Sequence, residues 1–282
     1  MPARPAGHHP TVERAGTWID DLPPDVVGLL GTVTRLLSGA LGPTLTALYV
    51  HGSLVAGDFA PARSDVDLLA VLTVEPDEAL LARLRPVQDE LDRAFPAWRR
   101  RVEVEHVATS TLHAYADGPP YLPATIARVS PGEDLHLLPA APHRVLTWST
   151  VHATGRALLG PPAAEVVPRF DDEATTVVLL EHVRGWQVWV RDRTTAGGQA
   201  YAVLTVCRAT VRLRTGRQVS KKVAADLVLA SDPASAGLVA WARDWWYSGG
   251  EDDAPPRTEE VRHFVEQACA RLLAEQPTDA AP

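Results

Sequence analysis

Residues 45–73, LTALYVHGSLVAGDFAPARSDVDLLAVLT, decide the fold. The first six, 45–50, are an apolar run that reads as a buried strand. His51, Gly52 and Ser53 follow at once as a turn. After eleven intervening residues, Asp65-Val66-Asp67 heads a second apolar strand, expected over 65–73. On a strand, residues i and i+2 point to the same face, so Asp65 and Asp67 present two carboxylates side by side. Such a pair repels itself unless a cation lies between. Oxygen ligands of this kind suit Mg²⁺, which keeps several waters and recruits substrate phosphates to fill its octahedron. The residues after Asp67 are apolar on both faces, which sets the carboxylates at the rim of a buried sheet. Gly52 lets the backbone approach a phosphate closely, and Ser53 adds a hydroxyl donor beside backbone N–H groups that favour an anion. A glycine–serine turn alone says little; strand, turn, spacer and D-x-D in sequence say much more.

Outward from this stretch, a helical pattern runs over 25–37 and stops near Gly39. Pro76 and Asp77 open another helix, which Pro86 should kink or divide. Residues 102–107, VEVEHV, alternate as a half-buried strand does. Glu103 and Glu105 share one face of it, and either reaches the Asp65/Asp67 site if the strands are neighbours. A third carboxylate there binds a second metal or accepts the proton of an attacking hydroxyl; alternation alone equally allows two solvent-facing glutamates. Prolines and glycines break up 118–142, where loops and short strands are expected. Beyond Pro161 the pattern is helical: 173–191, 201–214, 220–229, 234–247 and 259–275, with Ser220 and Thr258 as N-caps. The predicted organisation is a disordered N-terminus over 1–16, an α/β domain with a mixed sheet over 17–165, and an all-α helical domain over 166–282.

Composition narrows the function. With 27 basic and 35 acidic residues the net charge is −8, which argues against a nucleic-acid partner and suits a cationic small molecule. The two cysteines, Cys207 and Cys269, argue against a disulfide framework, and a reducing cytoplasm is the default. No signal-peptide core and no apolar run of bilayer-spanning length is apparent from the sequence, so no membrane partner is expected, and a monomer is. Trp241, Trp245 and Trp246, at helical spacing, read as core. The run 251–253 reads as a solvated loop, Lys222 as a helix-surface charge, and His51 is the one histidine near the site.

These residues resemble the nucleotidyltransferases of the DNA polymerase beta superfamily, and within them the aminoglycoside adenylyltransferases that modify streptomycin and spectinomycin. Arg101-Val102-Glu103-Val104 is similar to that family's segment carrying the catalytic base, which implies Glu103 for that role. Residues 157–163, ALLGPPA, resemble the family's segment at the domain junction. Residues 202–208, AVLTVCR, and 221–226, KKVAAD, resemble the signature of its helical domain. There the resemblance sets Arg208 and Lys221 toward the ATP phosphates, with Ser53 and Ser64, and Tyr247 at the nucleotide. It implies ATP and Mg²⁺, metals on Asp65 and Asp67 with Glu103 beside them, and AMP transfer to a hydroxyl of a cationic acceptor. Trp189 matches an aromatic that packs on the drug. The acid expected shortly after it falls at or near Thr194, for which Asp192 substitutes; Glu105, Glu133 and Asp134 are the other candidate acids. Two further readings are a protein-modifying adenylyltransferase of the antitoxin kind and a non-catalytic nucleotide-binding module.

Overall fold

A computed structural model describes residues 18, 19, 22–252 and 255–275. The disordered N-terminus expected over 1–16 and Asp253 of the acidic run lie outside the described residues. The chain opens with α1 (Pro24–Leu41), β1 (Leu45–His51), α2 (Ser53–Ala56), β2 (Val66–Leu72), α3 (Glu78–Ala94) and β3 (Val102–Ala108). It continues through α4 (Thr109–Ala116), β4 (Thr125–Ser130), β5 (Glu133–Pro139), α5 (Arg144–Thr154), β6 (Arg156–Leu159) and the short α6 (Ala163–Val166). Five helices follow: α7 (Asp172–Trp189), α8 (Ala196–Thr215), α9 (Lys221–Ser231), α10 (Ala236–Tyr247) and α11 (Thr258–Ala274).

The six strands form one sheet in the order β5-β4-β3-β2-β1-β6. Only β2 and β3 run parallel, joined by the crossover helix α3; the other pairs are antiparallel. Alternation sorts the two faces. Leu48, Val50, Leu68, Ala70 and Val104 pack with α1 and α3, while Ala47, Tyr49, Leu69 and Val71 pack with α4 and α5. Helices α7–α11 enclose a core of their own around α8, which is buried along most of its length. The mixed sheet followed by helices is the architecture expected.

Several expectations are corrected. Helix α3 is not divided: it runs through Pro86, because Pro86 and Ala82, whose carbonyl loses its N–H partner, are on the solvent face. The stretch 118–142 holds a full hairpin of β4 and β5, turned by Gly132 at φ +86°. Thr258 does not cap α11; its hydroxyl accepts from Gln199 Nε2 at 2.9 Å. Ser220 does cap α9, accepting from the Val223 N–H at 3.2 Å. Pro24–Thr44 is long and apolar enough to cross a membrane by length and composition; here its stripe of Val26, Leu29, Leu30, Val33 and Leu37 lies buried against the sheet. In the acidic run, Asp252 accepts from the Gly197 N–H at 2.7 Å and holds the start of α8.

The junction between sheet and helices is clamped. Tyr49 donates to the Pro161 carbonyl at 2.9 Å. Gly160, at φ +86°, lies so close to β1 that an added Cβ would come within 2.7 Å of the Thr46 carbonyl oxygen.

Candidate active site

The strand register assembles the site. His51 pairs with Asp67 across β1 and β2, and Asp67 pairs with Glu103 across β2 and β3. Paired residues share a face, so Asp67, Glu103 and, two residues before Asp67, Asp65 are set on the side of the sheet opposite α1 and α3. Gly52 is required here for a reason the sequence did not reveal. It adopts φ +69°, and an added Cβ would lie 2.0 Å from Asp67 Oδ2. The Asp67 carboxylate occupies the space that a side chain at 52 would fill.

The three carboxylates stand in a poorly solvated, self-repelling group. Burial, then Asp67, pushes Asp65 up to about 6. Burial pushes Asp67 up to about 6 as well, against the pull of Lys221 and Arg208. Burial and then Asp67 raise Glu103 to about 7. Buried oxygen donors short of counter-charge, with no thiolate or imidazole among them, fit a hard divalent cation. Among the described residues, no group of three His, Cys, Asp or Glu side chains forms a ready cage. Asp65, Asp67 and Glu103 therefore do not converge as a three-ligand set. Burial holds His51 neutral, at about 4.

Cations reach this face from the helical half. Lys221 is the first residue of α9, and its Nζ lies 4.5 Å from the ring centroids of both Tyr201 and Trp246. Burial lowers it to about 8, with Arg208 adding to the fall and Asp67, Asp58 and Asp65 opposing it. Arg208, on α8, acts on Asp67, Lys221 and Tyr247. Trp246 is therefore more than core: it cages the lysine. Trp245 is core, 7% exposed, yet carries Arg63 stacked 3.9 Å above it.

The remaining sequence candidates are placed as follows. Ser53 starts α2, half-buried beside Gly52. Ser64 is 6% exposed and its Oγ accepts from the Ala60 N–H at 2.9 Å, so it folds the loop before Asp65. Arg101 secures the same loop, donating to the Pro61 and Ser64 carbonyls, each at 2.6 Å. Tyr247 donates its hydroxyl to Asp58 at 2.8 Å. Glu105 is corrected: it is neither exposed nor open to an acceptor. It is 3% exposed, receives the Trp148 indole N–H at 2.6 Å and pairs with Arg144 at 3.0 Å. Trp189 is half-buried at the end of α7, with Arg193 stacked 4.7 Å over it and Tyr201 at 6.1 Å. Asp192 is exposed in the next turn, and Glu133 pairs with Arg128 at 2.8 Å. Asp58 and Arg63, and the loop-holding role of Arg101, escaped the sequence reading because their partners lie far along the chain or are backbone groups.

Residues 165–271 match the family model described as the C-terminal domain of aminoglycoside adenylyltransferase. An aminoglycoside (3'') (9) adenylyltransferase of Klebsiella pneumoniae is 29% identical, the match covering 84% of this chain and 90% of the relative. One from Escherichia coli is 28% identical with the same coverage. Among solved structures, the spectinomycin adenyltransferase AAD(9) from Enterococcus faecialis, solved with ATP and spectinomycin, superposes with a TM-score of 0.70 at 14% identity, over 86% of this chain and 98% of that one. That likeness shows the fold, and the sequence matches show that the chain is similar to the aminoglycoside adenylyltransferases along most of its length, with residues 165–271 matching the C-terminal domain of that family.

Proposed function

We propose that this chain transfers AMP from Mg-ATP to a hydroxyl of a cationic small molecule of the aminoglycoside class. The observation that carries the chemistry is the Asp67–Glu103 pairing beside Gly52 and Asp65, faced by Lys221 and Arg208 from the helical half. The activities for which the similar proteins are named support the acceptor class. We place the boundary between the two halves near residue 165, and the enzyme in the cytoplasm as a monomer.

Asp65 and Asp67 would hold Mg²⁺, which when bound polarises the phosphate oxygens and neutralises the leaving pyrophosphate. Lys221 and Arg208 would bind the triphosphate, with the Gly52–Ser53 backbone and the Ser53 hydroxyl alongside, and Tyr247 would face the nucleotide. Glu103, ionisable near neutrality, would take the proton of the attacking hydroxyl. Trp189 and Asp192 would hold the acceptor, Asp192 supplying the counter-charge for an ammonium or guanidinium.

The test is AMP transfer from α-labelled ATP to spectinomycin, streptomycin and a 2-deoxystreptamine drug. Asp65→Asn and Asp67→Asn should each abolish transfer with the fold intact. Glu103→Gln should lower turnover about 10²–10⁴-fold while Mg-ATP still binds. Wild-type turnover in Asp67→Asn would remove the metal assignment. If no acceptor is modified by the wild type, the aminoglycoside reading falls and a protein-modifying role takes its place.

A further inference from the structure

Of the contacts that join the two halves, one pairs a loop carboxylate that no motif singles out with the start of α9. Asp58 lies in the loop between α2 and β2. Its Oδ2 accepts the Tyr247 hydroxyl at 2.8 Å and lies 3.4 Å from the Lys222 backbone N–H. These partners are 189 and 164 residues away. We infer that Asp58 is a positioning residue for nucleotide binding, joining the loop after the glycine–serine turn to the first turn of α9 and so aiming Lys221 at the phosphate side of the site.

The first turn of a helix leaves its N–H groups without partners. In α9, Ser220 satisfies the N–H of Val223, and Asp58 satisfies that of Lys222 from the other half of the molecule. Lys221 is the neighbouring residue. Its ammonium is held between Tyr201 and Trp246 and is drawn toward Asp67, Asp58 and Asp65. With one backbone group and one side chain of the same turn fixed, the helix start has little freedom to rotate away from the carboxylates.

The loop that carries Asp58 is itself held rigid. Arg101 binds its carbonyls from β3, Ser64 closes its turn on Ala60, and Arg63 stacks on Trp245. A cavity of about 350 Å³ opens between this loop and Lys222, Trp246 and Tyr247, so the seam is close-fitting at Asp58 and roomy beside it. Because Asp58 engages the hydroxyl of Tyr247, what Tyr247 offers a nucleotide is its ring.

This inference rests on the nucleotide reading above, and calorimetry of Mg-ATP against the full chain separates the two. Loss of hydrogen bonds to a charged group costs about tenfold or more in a dependent equilibrium. Asp58→Ala should therefore weaken Mg-ATP at least about tenfold, with KM for ATP raised and kcat at saturation within about threefold of wild type. Asp58→Asn, which keeps an acceptor oxygen, should retain most of the affinity. Tyr247→Phe should weaken binding, and the double variant Asp58→Ala/Tyr247→Phe should be no weaker than the worse single one. Should Asp58→Ala fail to fold, Tyr247→Phe carries the comparison. An unchanged Kd in folded variants would overturn the inference, and so would tighter binding, which would make Asp58 a competitor for the phosphate site. No heat from the wild type would instead remove the nucleotide reading itself.

Discussion

Gly52 and Asp67 show how single atoms set this site. The Asp67 carboxylate fills the place of the missing Cβ, and the backbone there sits in the left-handed region. Gly52→Ala must displace the carboxylate, and misplacing a reacting group by about 1 Å costs about 10²-fold. Turnover in Gly52→Ala should fall at least that far with the circular dichroism spectrum retained; near wild-type turnover would disprove the packing argument. Charge gives a second prediction. Glu103, raised to about 7, must be ionised to accept a proton, and Lys221, lowered to about 8, must be protonated to hold phosphate. Hence kcat/KM should rise with pH through about 7 and fall through about 8, since it reports the free enzyme. Glu103→Gln should remove the acid limb, and Lys221→Arg should carry the alkaline limb beyond pH 9 because arginine stays charged. The motif residues were legible in the sequence because turn, spacer and D-x-D are local features. Asp58, with partners 164 and 189 residues away, was not.

Among the elements, β3 does two jobs on one face. Glu103 pairs with Asp67 near the rim, and two residues on Glu105 is sealed against α5 by Trp148 and Arg144. Alternation announced that the two glutamates share a face but not that a helix covers one of them, since α5 falls in a stretch with too weak a periodicity to read. The hairpin of β4 and β5 was hidden for a related reason: β5 is only half-buried, so its pattern lacks clean alternation. Helix α3 misled in the opposite direction, as its proline is tolerated on the solvent side. Removing one partner of a buried ion pair costs about 3–5 kcal/mol. Glu105→Ala should therefore lower the melting temperature by on the order of ten degrees, with Arg144→Met restoring part of the loss in Glu105→Gln. If Glu105→Ala kept its melting temperature and lost acceptor affinity, Glu105 would belong to the acceptor site after all. At the start of α9, Ser220→Ala should cost about 1 kcal/mol by the loss of its cap, read by chemical denaturation.

Over the whole molecule, the division of labour sets the order of binding. The proposed metal ligands, Asp65 and Asp67, and the proposed base, Glu103, stand on or beside the sheet, whereas Arg208, Lys221, Tyr247 and Trp189 come from the helices. Asp58 with Tyr247 and Arg63 with Trp245 already join the two halves, so the nucleotide would settle into a formed seam and complete it, with its triphosphate linking the carboxylates to Lys221. The cation Arg193 is stacked over the Trp189 ring, a setting that opposes a cationic drug until more negative charge is present. Mg-ATP brings that charge, and the chain, at −8, adds a long-range attraction. An acceptor of the aminoglycoside class should therefore bind only weakly to the free protein and at least about tenfold more tightly once Mg-ATP is in place, a coupling of about 1.4 kcal/mol. Calorimetry on Glu103→Gln, which should bind without turning over, measures it directly: spectinomycin, streptomycin and a 2-deoxystreptamine drug are titrated with and without Mg-ATP. The affinity should also fall as salt rises, because exposed charges are screened beyond about 10 Å at 0.1 M. Equal affinity with and without nucleotide would show that Trp189 and Asp192 bind the acceptor unaided. No heat from any of the three with Mg-ATP present would end the aminoglycoside reading and leave adenylyl transfer in search of another acceptor.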